Sequence, residues 1–135
     1  MDQLNAKAAD NFSLFLWSTF PTLEETFQMM AQTDLRYATT AFVWVKVTKT
    51  GVPHLGMGYY TRANAEPCLL FKGGRGLGRS VDRSINSVVL APRGRHSAKP
   101  MEVKYRIMRM YPYAKRLELF ARDRLEGWDV WGNEV

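Results

Sequence analysis

The chain is 135 residues long, 46% hydrophobic and 13% aromatic, which excludes the disordered and fibrous classes and predicts one globular domain. Nineteen Lys+Arg against 13 Asp+Glu give a formal net charge of +6, a basic balance that admits nucleic acid as a partner without requiring it. The lone Cys68 excludes a disulfide framework, no apolar stretch approaches the ~18 residues of a membrane span, and Met1-Asp2-Gln3-Leu4-Asn5 is unlike a signal peptide, so a cytoplasmic protein with no membrane partner is expected.

In chain order, residues 12–18 form an apolar, aromatic run of strand length that Pro21 stops. A helix is predicted over 21–32, with Leu23, Phe27 and Met30 at helical spacing and Met29 and Met30 read together as core filler. Ala41–Val47 is a second strand, rich in β-branched and aromatic residues. The loop from Lys49 to Glu66 exceeds a usual hairpin connection, and loops of that length are commonly functional or disordered. Cys68–Lys72 reads as a core strand that buries the thiol, Ser87–Ala91 as a fourth strand, residues 100–110 as a helix opened by Pro100, and Arg116–Ala121 as a fifth strand. Strands alternating with helices imply an α/β layer architecture, and the consecutive third and fourth strands imply that part of the sheet is antiparallel.

Charge is concentrated in one segment. Lys72–Arg116 holds 12 Lys+Arg and 2 Asp+Glu, whereas the rest of the chain holds 7 and 11. Arg75, Arg79, Arg83, Arg93, Arg95, Arg106 and Arg109 dominate it, and such a face can supply salt-dependent attraction to phosphates. Charge alone does not separate that reading from a solvated surface.

Most chemistry-bearing patterns fail. Gly73–Gly78 lacks the third glycine of a dinucleotide fingerprint, because position 79 is Arg, and no Lys-Ser/Thr pair makes it a phosphate loop. His54 and His96 stand 42 residues apart without an acidic cluster, which leaves no metal-binding spacing. No Gly-x-Ser-x-Gly elbow occurs.

What remains is a series of short polar motifs at strand ends, where ligands collect in open α/β sheets. They are Trp44-Val45-Lys46, Gly58-Tyr59-Tyr60-Thr61-Arg62 with Glu66, His96-Ser97-Ala98-Lys99-Pro100, and Glu118-Leu119-Phe120-Ala121-Arg122 followed by Trp128 and Gly132-Asn133-Glu134. Singly, each has an ordinary structural reading: Lys46 and Arg62 as surface charges, His96 as a cap, Trp128 as core. As an ordered series, with Leu14–Trp17 and Ala91-Pro92-Arg93, they resemble the adenine N-6 methyltransferases. That family includes the catalytic subunit of the messenger-RNA adenosine methylase and many phage and prophage DNA adenine methylases, and the wording here is most similar to the phage DNA enzymes.

The resemblance implies an α/β fold with a Rossmann-like methyltransferase sheet in permuted motif order, S-adenosylmethionine as cofactor, and adenine in DNA, rather than RNA, as substrate. Lys99, Glu118, Phe120, Arg122, Asn133 and Glu134 then match cofactor contacts, while Lys46, Tyr59, Tyr60, Arg62 and Glu66 match the substrate groove, joined by Arg75 and Arg79 of the basic segment. Carboxylates and amides suit ribose hydroxyls, a cation suits the methionine carboxylate, and tyrosines suit a flipped-out base.

The family's Asp-Pro-Pro-Trp-like tetrapeptide has no counterpart, since the six prolines, Pro21, Pro53, Pro67, Pro92, Pro100 and Pro112, are nowhere adjacent. No catalytic residue is therefore assigned, and the chain is expected to be truncated at its N-terminus relative to the family. In the family the tetrapeptide ends a central strand lying between the strands that match Phe12–Trp17 and Leu117–Ala121. Three outcomes are expected for the gap: direct pairing of these strands, a strand donated by a second chain, or poor folding of the isolated protein. The alternative function is a catalytically silent nucleic-acid-binding module or a partner subunit.

Overall fold

A computed structural model describes residues 10–94, 98–119 and 124–131. In chain order the elements are β1 (Phe12–Trp17), α1 (Leu23–Met30), β2 (Arg36–Val47), β3 (Ala65–Gly73), β4 (Val88–Pro92), α2 (Met101–Met110), β5 (Leu117–Leu119) and β6 (Asp129–Trp131). Four strands form a mixed sheet in the order β1-β3-β2-β4, and β5 and β6 form a separate parallel pair.

Period-two alternation divides the apolar residues of the large sheet between two helices. Phe42, Trp44, Cys68 and Val89 pack with Val103 and Ile107 of α2, joined by Phe15 and Trp17 of β1. On the other face, Leu69 and Phe71 pack with Met30 of α1, joined by Leu14, Leu16 and Phe27. This explains why β1 is apolar at every second position on both sides, and the buried Cys68 is the core residue expected of it.

The sequence reading needs correction in five places. β2 begins at Arg36, five residues before the expected Ala41. β3 is antiparallel to β1 and β2 but does not pair with β4, which instead runs parallel to β2. The connection after β3 is too long for a hairpin turn and carries the chain across to the far side of β2. Met29 is not core filler: it is 50% exposed while Met30 is buried, because successive helical side chains point about 100° apart and only one can face the sheet. β3 starts at Ala65, three residues earlier than expected, and passes through Pro67, whose carbonyl accepts the Ser18 N–H at 3.0 Å. The short β6, which the sequence reading did not contain, pairs with β5 through Leu117–Asp129 and Leu119–Trp131.

β1 and β5 do not pair with one another among the described residues. A cavity of about 590 Å³ lies between them, bounded by Ser13–Trp17, Leu117–Leu119 and α2. Of the three outcomes expected for the gap, direct closure is thus not the one observed.

Candidate functional site

β1, β2 and β4 run in one direction, since β1 and β2 are both antiparallel to β3 and β4 is parallel to β2. Their carboxyl ends, Trp17, Lys46 and Ala91, therefore share one edge of the sheet with Glu66 at the start of β3. Trp44 and Lys46, two residues apart, project to the same face, and Trp44 lies directly opposite Glu66 in the β2–β3 register. The end of β2 is pinned through both backbone groups of Lys46: its N–H donates to Asn64 O and its carbonyl accepts from His54 N–H, each at 2.7 Å.

Glu66 sits between two lysines. Lys46 Nζ is 2.8 Å from Oε2 and Lys99 Nζ is 2.9 Å from Oε1. Lys99 comes from the segment that enters α2, so the cluster joins β2, β3 and the helix entrance. Each ammonium also lies over an indole: Lys46 Nζ is 5.2 Å from the Trp44 ring and Lys99 Nζ is 5.6 Å from the Trp17 ring. The two indoles meet edge-on at 6.2 Å, and Trp44 Nε1 donates to Ala91 O at 2.8 Å. Aromatic quadrupoles thus add to the carboxylate in holding both cations.

Burial pushes the Glu66 carboxyl up, but hydrogen bonds from Lys46 and Lys99 and the charges of both outweigh it, leaving the group below its ordinary value of 4.5. Glu66 is consequently ionised at neutral pH. Burial pushes the nearby Cys68 thiol up to about 12, with Lys99 opposing, so the cysteine is an inert core group rather than a nucleophile.

Two cavities adjoin the cluster, and Lys99 lines both. The smaller, about 450 Å³, is bounded by Trp44, Lys46, Glu66, Arg93 and Lys99 and carries excess positive charge. The larger is the 590 Å³ space beside β1, whose lining is mainly apolar apart from Lys99, Lys104, Lys115, Arg116 and Glu118. Lys104 pairs with Glu118 across it. The Trp128 indole is sandwiched at 5.9 Å from Lys104 Nζ and 6.0 Å from Arg116 Cζ, and its buried Nε1–H has no acceptor among the described residues.

The structure therefore brings together Lys46, Glu66 and Lys99, with Glu118 on the larger cavity. It does not gather the other expected residues with them. Tyr59 and Tyr60 contact each other at 4.9 Å but are 95% and 93% exposed, and neither they nor Arg62 line either cavity. Arg75 and Arg79 follow the far end of β3; the seven residue steps from Glu66 to Gly73 correspond to about 24 Å. There Arg75 N–H donates to Asn11 Oδ1 at 2.9 Å and Arg36 reaches Gly74 O. Phe120, Arg122, Asn133 and Glu134, with His96, lie outside the described residues.

Sequence reasoning did not assign Arg93, Lys104 or the indoles of Trp17, Trp44 and Trp128 to the site. Trp44-x-Lys46 carried a usable signal, because period two puts an indole under an ammonium. Lys104 carried none, since its partner Glu118 is 14 residues away.

Comparison with known proteins adds two findings. The MT-A70 family model matches residues 1–134. A Type II methyltransferase, M.MunI, from Mycoplasma sp is 35% identical over 127 residues, which is 94% of this chain and 52% of that protein. The chain thus spans about half the length of the curated relative it matches.

Proposed function

The chain belongs to the MT-A70 family, and on that premise we propose that it is the cofactor-binding and substrate-loop portion of an S-adenosylmethionine-dependent methyltransferase acting on the exocyclic amine of adenine in DNA. The observation that carries the reading is the ionised Glu66 held between Lys46 and Lys99 at the carboxyl edge of the parallel strands, with a cavity on either side of Lys99. Ligands of open α/β sheets bind at that edge.

The polar lining of the larger cavity suits the cofactor in chemistry, its apolar stretch along β1 being left to a further strand. Lys99 can pair with a carboxylate, Glu118 can accept from hydroxyls, and the Trp128 N–H, buried without an acceptor among the described residues, gains one from a polar ligand. When bound, S-adenosylmethionine supplies a sulfonium methyl group for transfer to an amine nitrogen. In the smaller cavity Glu66 accepts a hydrogen bond from that amine, and Trp44 offers an aromatic wall.

The same reading makes residues 1–135 one domain with a Rossmann-like sheet in permuted order, in which a further strand fills the space between β1 and β5. A second chain supplies that strand together with the Asp-Pro-Pro-Trp-like motif absent from these 135 residues. The exposed Tyr59, Tyr60 and Arg62 stack on and pair with the nucleic acid outside the cavities, Arg75 and Arg79 hold phosphates farther along the duplex, and Phe120, Arg122, Asn133 and Glu134 complete the cofactor contacts.

Titration calorimetry of the 135-residue chain with S-adenosylhomocysteine tests the reading. Binding that is lost in Lys99→Ala is expected; absence of binding by the native chain refutes it. A second reading, a silent nucleic-acid module, is favoured by the basic segment and the missing tetrapeptide; it predicts oligonucleotide binding without cofactor binding.

A further inference from the structure

Among the described residues Lys99 is the one cation shared by the two cavities, and its ammonium is committed to Glu66 Oε1 at 2.9 Å. Lys46, which holds the other carboxylate oxygen at 2.8 Å, borders only the smaller cavity. We propose that Lys99 couples the cavities: an anionic group entering the larger cavity draws Lys99 away from Glu66, and the freed Oε1 then accepts an N–H donor in the smaller one. This rests on the function proposed above, which supplies a carboxylate on one side and an amine on the other.

The argument is one of competing partners. An ionised carboxylate only accepts hydrogen bonds, and an ammonium only donates them. While Lys99 donates to Oε1, an incoming amine must share or displace that bond. When a ligand carboxylate takes Lys99, Glu66 keeps Lys46 as counter-ion, stays ionised, and turns Oε1 toward the amine. The reverse holds by linkage: an amine on Oε1 loosens Lys99 and raises affinity for the anion by the same factor. Lys99 can swing without leaving its place because the Trp17 indole supports the ammonium from below. Its side chain is one-third exposed, so the coupling falls at the weak end of the usual range, about fivefold.

The test is the affinity of the full 135-residue chain for a short single-stranded oligonucleotide with one adenine, measured without and with saturating S-adenosylhomocysteine. Affinity is expected to rise about fivefold. The rise should vanish with 5′-deoxy-5′-methylthioadenosine, which keeps the nucleoside but lacks the carboxylate. It should vanish equally when the adenine is replaced by purine, which lacks the exocyclic amine. Lys99→Met should abolish the coupling and Lys46→Met should weaken oligonucleotide binding while keeping it; the ligand pair alone decides if a variant misfolds. If both ligands bind with no coupling, or the carboxylate-free ligand couples equally, the inference fails and the proposed function stands. If S-adenosylhomocysteine does not bind, both fall together.

Discussion

Glu66→Gln removes one charge and keeps the side chain's shape, which makes it a direct test of how the site is held together. The carboxylate is 13% exposed and accepts from two ammonium groups at 2.8 and 2.9 Å. A hydrogen bond to a charged group contributes about 1.5–3 kcal/mol, but both lysines are partly solvated, and a glutamine oxygen can still accept from one of them. The remaining deficit, including repulsion between two ammoniums now lacking a counter-ion, is about 1–3 kcal/mol. For a domain of this size that lowers Tm by roughly 3–10 °C. The pH dependence gives the sharper test. Because the folded-state pKa of Glu66 lies below its ordinary value of 4.5, the carboxylate's contribution is fully present above that value and is lost as pH falls through the lower, folded-state pKa. Native protein and variant should therefore differ at pH 7 and converge as pH falls from 4.5 through the lower, folded-state pKa. Urea denaturation followed by circular dichroism between pH 3 and 7 measures this. A difference that persists unchanged at pH 3, or equal stability at pH 7, would refute the argument that charge pairing holds the cluster.

Cys68, fully buried with a thiol pushed up to about 12, should resist a disulfide reagent at pH 8 in the native state and react at once in concentrated urea; rapid native-state labelling would contradict the packing of β3 against α2. Trp44→Phe removes the indole donor to Ala91 O and the support under Lys46, so about 1–2 kcal/mol of stability should be lost in denaturant titration. An unchanged midpoint would show that neither contact matters. Charge reversal at Arg75 and Arg79 should lower oligonucleotide affinity and flatten its salt dependence while leaving S-adenosylhomocysteine binding unaltered, given their place at the far end of β3. Equal losses of both affinities would argue that the two ends of the sheet act as one site. Amide exchange at the outer edge of β1, unpaired among the described residues, should be faster than in β3, which is flanked by two strands; equal protection would mean that β1 already has a second partner.

What was legible in the sequence divides along a physical line. Alternation and helical spacing located β1, β2, β4 and both helices, because each element's apolar pattern is a property of its own residues. Adjacency is not such a property. That β3 lies between β1 and β2, and that β4 skips over to the far side of β2, follows from how long connections cross the sheet. Only a hairpin length would have fixed the pairing in advance. The site shows the same division. Lys46, Glu66 and Lys99 were each picked out through the motifs around them, yet the carboxylate shared by two lysines is a relation among residues 20 and 33 positions apart. Its geometry exists only because the register sets Trp44 opposite Glu66. Met29 shows the converse error, where two adjacent apolar residues were read as equivalent although the helix sends them to different sides.

The space beside β1 bears on both the fold and the chemistry. Every residue of β1 is only half-buried, although its alternating side chains serve two separate cores. In the fold proposed above, such a strand lies inside a sheet, where both edges are paired. Its open edge and that of β5 bound one cavity, whose lining along Ser13–Phe15 and Leu117 is mainly apolar, whereas Lys99 stands near Trp17 at the other end. An added strand satisfies the backbone groups along the apolar stretch, each worth about 1–3 kcal/mol when otherwise buried without partners. Laid parallel to β1, it also delivers its last residues to the carboxyl edge, beside Glu66 and Lys99. On the function proposed above, the group that completes the chemistry and the strand that completes the sheet therefore enter by the same route.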